Sequence, residues 1–459
     1  MKISVIGCGY LGAVHAASMA ELGHEVIGFD VDISKIQALA SGNAPFFEPG
    51  LNDMLASAIS SGRLTFSTDP ASVWGSKVHF VAVGTPQRKG ENAADLTHVD
   101  SAVNGLIPHL REGDLVVGKS TVPVGTAQRL SEVLRNAKTG AILAWNPEFL
   151  REGFAIKDTI MPDRLVYGLP SDTAPPEMDS AIRESGLGNA PASESERSIA
   201  RSLLNEVYEL ALSKGTPLVE TDYATAELVK VSANAFLATK ISFINAMAEI
   251  AEVSGADVTQ LADAIGYDAR IGRSFLNAGV GFGGGCLPKD IRAFTARAEE
   301  LGRGESLAFL KEIDNINLRR RQTMVDMVLS ALGGHSYQKK VTVLGLAFKP
   351  DSDDVRDSPA LDVAVQLNGL GAHVIATDPQ AIPNSLRLHP QLGFATDTMD
   401  ALNDADVVVL VTEWKEYREL DPVLIGNVVK NKVIIDGRNT LDPGQWRAAG
   451  WTYRGMGRP

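Results

Sequence analysis

A strand, a glycine turn, a helix and a second strand ending in aspartate occur in that order twice in this chain, and this repeat constrains the fold most. Near the N-terminus ISVIG is followed by EVIGFDV and then KVHFVAVGTP; after Lys339 VTVLG is followed by HVIATDP and ADVVVLVTEW. The first block continues with DLVVGKST and AILAWNPE and the second with KVIIDGRN. Short β-rich runs alternating with helical stretches build parallel sheets with crossover helices. Between the blocks, Asp222 to Ser254 reads as one long helix rich in Ala, Leu and Glu and closed by Gly255. The expectation is an α/β protein with two Rossmann-like doubly wound lobes joined by a helical domain with a long central helix. Boundaries are placed at 1–196, 197–312 and 313–459, with linkers near Ala190 to Glu196 and Gly334 to Lys340.

The first turn carries the chemistry of a dinucleotide site. Gly7, Gly9 and Gly12 in GCGYLG, with Tyr10 and Leu11 between them, stand between a strand and a helix. The first glycine permits the turn, the second admits a pyrophosphate, and the third lets helix and strand pack closely. Asp30 ends the second strand, where a carboxylate bonds a ribose hydroxyl and repels a 2′-phosphate, which favours NAD over NADP. Lys35 is the nearby cation that weakens this preference. Cys8, inside the loop, reads as a packing residue.

The most informative segment is FLNAGVGFGGGCLPKD, Phe275 to Asp290. Five glycines approach Cys286, which suits a backbone that must come very close to a ligand. Pro288 reads as the first position of a helix whose N-terminus favours a thiolate at Cys286. Two readings stand here: a reactive thiol, or a buried cysteine beside a phosphate-cradling loop. Asp290 either holds a water beside the sulfur or caps the helix. Lys230 and Asn234, four apart on the long helix, either meet an oxyanion or sugar or border the apolar stripe in water. Lys349, in the second block's turn, either meets a diphosphate or is a surface lysine; the later glycines are missing there, which argues against a second dinucleotide site.

Bulk composition removes other classes. With 43 Lys and Arg against 56 Asp and Glu, the formal charge is −13, which disfavours nucleic acid and anionic membrane as partners. Two cysteines far apart make neither a disulfide framework nor a zinc site, so no metal is expected. MKISVIG runs straight into the glycine turn, unlike a signal peptide, and no stretch is apolar enough to span a bilayer, so a cytoplasmic location is expected.

These motifs together resemble the UDP-glucose/GDP-mannose dehydrogenase family. The resemblance runs nearly end to end through GCGYLG, FFEPGL, VAVGTP, KSTVPVGT, NPEFLREG, AELVKVSANAFLATKISFIN, GFGGGCLPKD, GLAFKPDSDDVRDSP and DGRN. It implies four-electron oxidation of a nucleotide sugar's primary alcohol with NAD. Cys286 would be the nucleophile and Lys230 the oxyanion stabiliser. Thr121, Asn234 and Asp290 would place water and protons, and Glu148 would assist thioester hydrolysis. Thr121 and Glu148 also fall among the cofactor contacts, with Asp30, Lys35, Thr85 and Arg356. Glu148, Phe149, Leu150, Lys230, Asn234, Arg270, Phe275, Gly283, Lys349 and Arg438 match sugar-nucleotide contacts. The arginine matching Arg270 reaches a neighbouring subunit in the family, which implies an oligomer of at least two copies. Gly285, where many relatives have Ser or Tyr, and Trp145, where a smaller residue is usual, depart from the pattern.

Overall fold

The computed structural model describes residues 1–171 and 194–459. Of the expected linker near Ala190 to Glu196, residues 190–193 lie outside them.

The first sheet contains β1 (Lys2–Ile6), β2 (Glu25–Phe29), β3 (Leu64–Ser67), β4 (Val78–Val81), β5 (Leu115–Gly118), β6 (Ile142–Trp145), β7 (Leu165–Gly168) and β8 (Leu218–Thr221). Their order is β3-β2-β1-β4-β5-β6-β7-β8. Every pairing is parallel except the single antiparallel Trp145–Gly168 contact. Helices shield both faces, so inner strands such as VHFV and LVVG are buried along their whole length. The edge strand β8 carries this sheet to Thr221, past residue 196, because LVET pairs in parallel with β7.

The second sheet contains β9 (Lys340–Leu344), β10 (His373–Thr377), β11 (Gly393–Phe394), β12 (Val407–Leu410), β13 (Val433–Asp436) and β14 (Thr452–Gly455). It is parallel throughout, in the order β11-β10-β9-β12-β13-β14. The central strand of each sheet leads into the glycine turn, and the strand order reverses beside it, at the switch point where open α/β sheets bind ligands. Both lobes expected from the repeat are present.

The long helix runs Tyr223–Ser254, about 48 Å at 1.5 Å per residue. Asp222 receives the Thr225 N–H at 2.8 Å at its start. Gly255, at φ +76°, ends it by taking a left-handed conformation that costs a side-chain-bearing residue more. By packing, the chain forms two compact units, Met1–Ala233 with Ala293–Glu305, and Asn234–Arg292 with Ser306–Pro459. The long helix begins in the first and continues in the second. The Gly334 to Lys340 loop joins the helix Ala308–Ala331 to β9 inside the second unit. Among the described residues, no helix is long and apolar enough to cross a membrane.

Candidate active site

In the first unit, the helix Tyr10–Glu21 starts directly after the glycine turn, with Gly9 at its N-cap and no side chain capping it. Gly7 stands at φ +88°, and a Cβ at Gly12 would lie 1.8 Å from the Gly7 carbonyl oxygen. At Gly9 a Cβ would meet nothing within 4 Å. The turn therefore needs glycine at its ends for internal packing and leaves its middle open beside a helix N-terminus, which suits a pyrophosphate. Asp30 accepts the Cys8 N–H at 2.8 Å, the Asp32 N–H at 3.0 Å and the Lys35 ammonium at 2.8 Å. Cys8 is buried, and burial together with the Asp30 charge pushes its thiol pKa well up, so it is the inert packing residue expected.

Tyr10 is pinned from the FFEPGL segment: its ring lies 5.0 Å from that of Phe46 and its hydroxyl donates to Glu48. Glu48 also accepts the Gly153 and Ala155 N–H groups at 2.7 and 2.8 Å. One buried carboxylate thus ties the glycine-turn helix to the LREG turn. Thr85 donates to the Thr121 carbonyl at 2.8 Å, which joins the ends of VAVGT and KST.

Glu148 accepts the Leu150 N–H at 2.8 Å and pairs with Lys230 at 3.0 Å. Lys230 is almost fully buried, so the reading that placed it in water at the edge of the apolar stripe is overturned. A buried ammonium needs a partner, and Glu148 supplies it. The Phe149 ring has Arg164 3.7 Å from its centre and the Lys230 ammonium at 5.6 Å. Trp145 does not enter this group. Its indole occupies the space left by Gly118, where a Cβ would come within 2.1 Å of the ring.

In the second unit, Cys286 is exposed, which removes the buried-cysteine reading. It precedes the helix Leu287–Glu300, and its carbonyl accepts the Asp290 N–H at 2.9 Å. Pro288 thus falls at the second helical position, one later than expected. Asp290 is buried, accepting Asn234 Nδ2 at 2.6 Å and Lys289 Nζ at 2.6 Å. Asn234 is buried as well, against the bordering-in-water reading.

Each glycine before Cys286 turns its Cβ side toward the chain's own atoms. A Cβ at Gly279, Gly281, Gly283, Gly284 or Gly285 would strike, in turn, Gly437 O at 2.4 Å, Asn317 Oδ1 at 2.3 Å, Asp357 O at 2.3 Å, Phe348 Cζ at 2.8 Å and Arg356 Cζ at 2.3 Å. The chain's own loops fill the space on that side, so the glycines allow close docking of the cysteine segment against the second sheet's turns. The Gly285 departure fits this, since a side chain there would overlap the Arg356 guanidinium.

Arg356 also forms a fork with Asp354, 2.7 Å at the closer end. Arg438 donates to the carbonyls of Val411, Gly281 and Phe348 at 2.8, 2.9 and 3.1 Å, and Asp436 shapes its turn by accepting the Arg438, Thr440 and Leu441 N–H groups. Lys349 lies 5.5 Å from the centre of the Phe348 ring. Phe275 takes the strained φ of +66°. Arg270, 88 % exposed, closes on nearby Asp268 at 2.6 Å and, among the described residues, stands apart from the other candidates of its unit.

Three groups escaped the sequence reading. Glu48 stands inside a quoted motif. Glu227, one turn before Lys230, caps the helix Thr126–Asn136 through the Gly125 and Ala127 N–H groups at 2.7 Å each, while burial raises its pKa to about 8. Lys119, directly after β5, is buried with its ammonium on Asn146 Oδ1 at 2.9 Å and the Tyr208 hydroxyl at 3.1 Å. A lysine directly after a buried strand was the available signal.

Known proteins resemble this chain in sequence and in fold. Residues 1–183, 224–319 and 342–443 match, respectively, the NAD-binding, central and UDP-binding domains of the UDP-glucose/GDP-mannose dehydrogenase family. The chain is 41 % identical to the UDP-glucose 6-dehydrogenase TuaD of Bacillus subtilis (strain 168), covering all of this chain and 93 % of that protein. It is 39 % identical to a UDP-glucose 6-dehydrogenase of Rhizobium meliloti (strain 1021), covering both fully. Among solved structures, a UDP-glucose dehydrogenase from the archaeon Pyrobaculum islandicum superimposes with a TM-score of 0.85 at 35 % identity, covering 100 % of this chain and 98 % of that one. The open glycine turn and Asp30 fit the cofactor that the first matched domain binds. The chain belongs to the UDP-glucose/GDP-mannose dehydrogenase family, and its cofactor is NAD.

Proposed function

We propose that this protein oxidises the C6 alcohol of UDP-glucose to the carboxylate, with Cys286 carrying the sugar as a thioester between the two oxidations. The observation that carries the reading is the exposed thiol of Cys286 at the start of a helix, next to the buried Asn234–Asp290 pair. Full-length identity of 35–41 % to several UDP-glucose 6-dehydrogenases supports the substrate.

NAD, when bound, supplies the hydride acceptor for each of the two oxidations. The chain's part begins with the glycine turn, Asp30, Lys35, Thr85 and Arg356, which hold the dinucleotide. Lys349, Arg438, Gly283, Phe275, Phe149 and Leu150 hold the nucleotide sugar. An aldehyde has no hydride to give until a nucleophile adds, so the Cys286 thiolate adds to the carbonyl carbon. Lys230 and Asn234 then stabilise the oxyanion, an effect of about 3 kcal/mol per donor in comparable sites. After the second oxidation Glu148 takes a proton from the water that cleaves the thioester. Thr121 and Asp290 position that water.

We read the chain as three functional segments, for cofactor, helical core and nucleotide sugar, in a homo-oligomer of at least two copies within the cytoplasm. Phe236, Phe243 and Ile250, seven apart on the long helix and 66 %, 48 % and 59 % exposed, form an apolar stripe suited to a second copy of the same helix. Light scattering of the purified chain tests the assembly.

The deciding experiment counts NADH formed per UDP-glucose consumed: two for this reading, one for a simple alcohol dehydrogenase, none for a nucleotide-sugar sensor. In Cys286→Ser, carboxylate formation is expected to stop while NAD and UDP-sugar binding persist. Normal turnover in that variant excludes the thioester.

A further inference from the structure

We infer that Lys119 is a proton acceptor standing behind Glu148, reached through a water in a small pocket of the first unit. The inference rests on Glu148 being the base of thioester hydrolysis.

Lys119 is held from several sides. Its ammonium donates to Asn146 and Tyr208, Tyr208 donates to the same Asn146 oxygen at 2.7 Å, and Asn146 Nδ2 is fixed on the Val166 carbonyl at 2.9 Å. Both neighbours are neutral, so among the described residues this lysine lacks the paired carboxylate that usually accompanies a buried ammonium. Burial pushes its pKa down to about 7, with the Glu148 charge pulling it up and the Lys230 charge pushing it further down. A lysine in that range exchanges protons near neutrality.

A cavity of about 30 Å³ connects the partners; Leu11, His15, Lys119, Asn146, Glu148 and Tyr208 are among its walls. That volume admits a water, and the polar walls supply its hydrogen bonds. His15 is fully buried, and among the described residues its Nε2 has no protein partner. Burial and the nearby Lys119 charge hold the imidazole neutral by lowering its pKa, so it can orient the water without competing for the proton. The titratable groups around Lys119 are thus Glu148, Lys230, His15 and Tyr208. Asp158 and Arg164, further along the wall, are engaged by Arg151 and the Phe149 ring.

The proton balance is simple. Water's O–H bond breaks as its oxygen bonds to the thioester carbon, and the proton goes to Glu148. The C–S bond then breaks, and its electron pair returns to the Cys286 sulfur. Glu148 passes its proton across the cavity water to the Lys119 amine and is again a carboxylate paired with Lys230. Lys119 later releases that proton to solvent. Its ammonium form cannot accept, so hydrolysis slows as pH falls through the Lys119 pKa.

Lys119 touches no substrate and acts through Glu148, so the test reads pH dependence. kcat and trapped acyl-enzyme are measured from about pH 5.5 to 9 in the wild type, Lys119→Met and Tyr208→Phe. The wild type is expected to lose activity below about pH 7. Lys119→Met is expected to lose that acid limb, to fall about tenfold in kcat above it, to accumulate acyl-enzyme and to keep its KM for UDP-glucose. Tyr208→Phe removes one acceptor of the ammonium and is expected to move the limb to lower pH. A Lys119→Met enzyme with the wild-type limb and kcat overturns the relay. If that variant does not fold, an unmoved limb in Tyr208→Phe overturns it. The Glu148 assignment fails separately if Glu148→Gln turns over without accumulating acyl-enzyme.

Discussion

The two glycine turns share a frame and diverge in what they offer a ligand. Gly7 and Gly345 both end a central strand at positive φ, +88° and +103°, and each is followed one strand later by a buried aspartate. After Gly7 the helix begins at Tyr10 with an uncapped N-terminus. After Gly345 the helix waits until Pro359, and Ser358 caps it by accepting the Leu361 N–H. The intervening loop presents Lys349 and Arg356. Asp30 takes the Lys35 ammonium and the Cys8 and Asp32 N–H groups, whereas Asp378 takes the N–H groups of Leu346, Ala347, Gln380 and Ala381 together with the Trp414 indole. The frame thus makes an open anion seat in one lobe and a fully bonded knot beneath a cationic loop in the other. What a Rossmann turn binds depends on where its helix starts and on whether its aspartate is already engaged.

The contrast predicts that the two aspartates respond differently to removal. Asp378→Ala strands five donors in a buried site and is expected to cost about 4 kcal/mol of stability, read by denaturant unfolding. An unfolding midpoint at the wild-type value would end the knot interpretation. Gly12→Val comes next: the helix must move off the Gly7 carbonyl, so NAD affinity is expected to fall at least about 100-fold while UDP binding holds. Titration calorimetry with each ligand separates the two, and equal losses would mean the lobes do not divide the ligands. The smallest effect belongs to Asp30→Ala, expected to weaken NAD about tenfold and to relax discrimination against NADP with little change in stability. Unchanged selectivity would take Asp30 out of the ribose role.

Much of this architecture was legible in the chain. Period and punctuation are local: VHFV and VVVL read as buried strands, and Gly255 closes the long helix one residue from where the pattern ends. The residues of the glycine turn were readable for the same reason, because strand, turn and helix are adjacent in sequence. The Lys230–Glu148 pair was not readable, since its members come from elements 82 positions apart and only packing joins them. The same holds for Glu48, which binds a turn more than a hundred residues away.

The amino-acid order by itself determined two doubly wound lobes, the helix between them and the turn that seats a dinucleotide, because each depends on neighbours within a few residues. Only the tertiary structure decided that the Cβ side of the glycines before Cys286 faces protein, that Lys230 is buried beside a carboxylate and that Lys119 is buried on neutral partners. Burial and electrostatic partners are properties of the folded environment, and the same lysine is an ordinary cation in water or a proton acceptor near neutrality according to what encloses it.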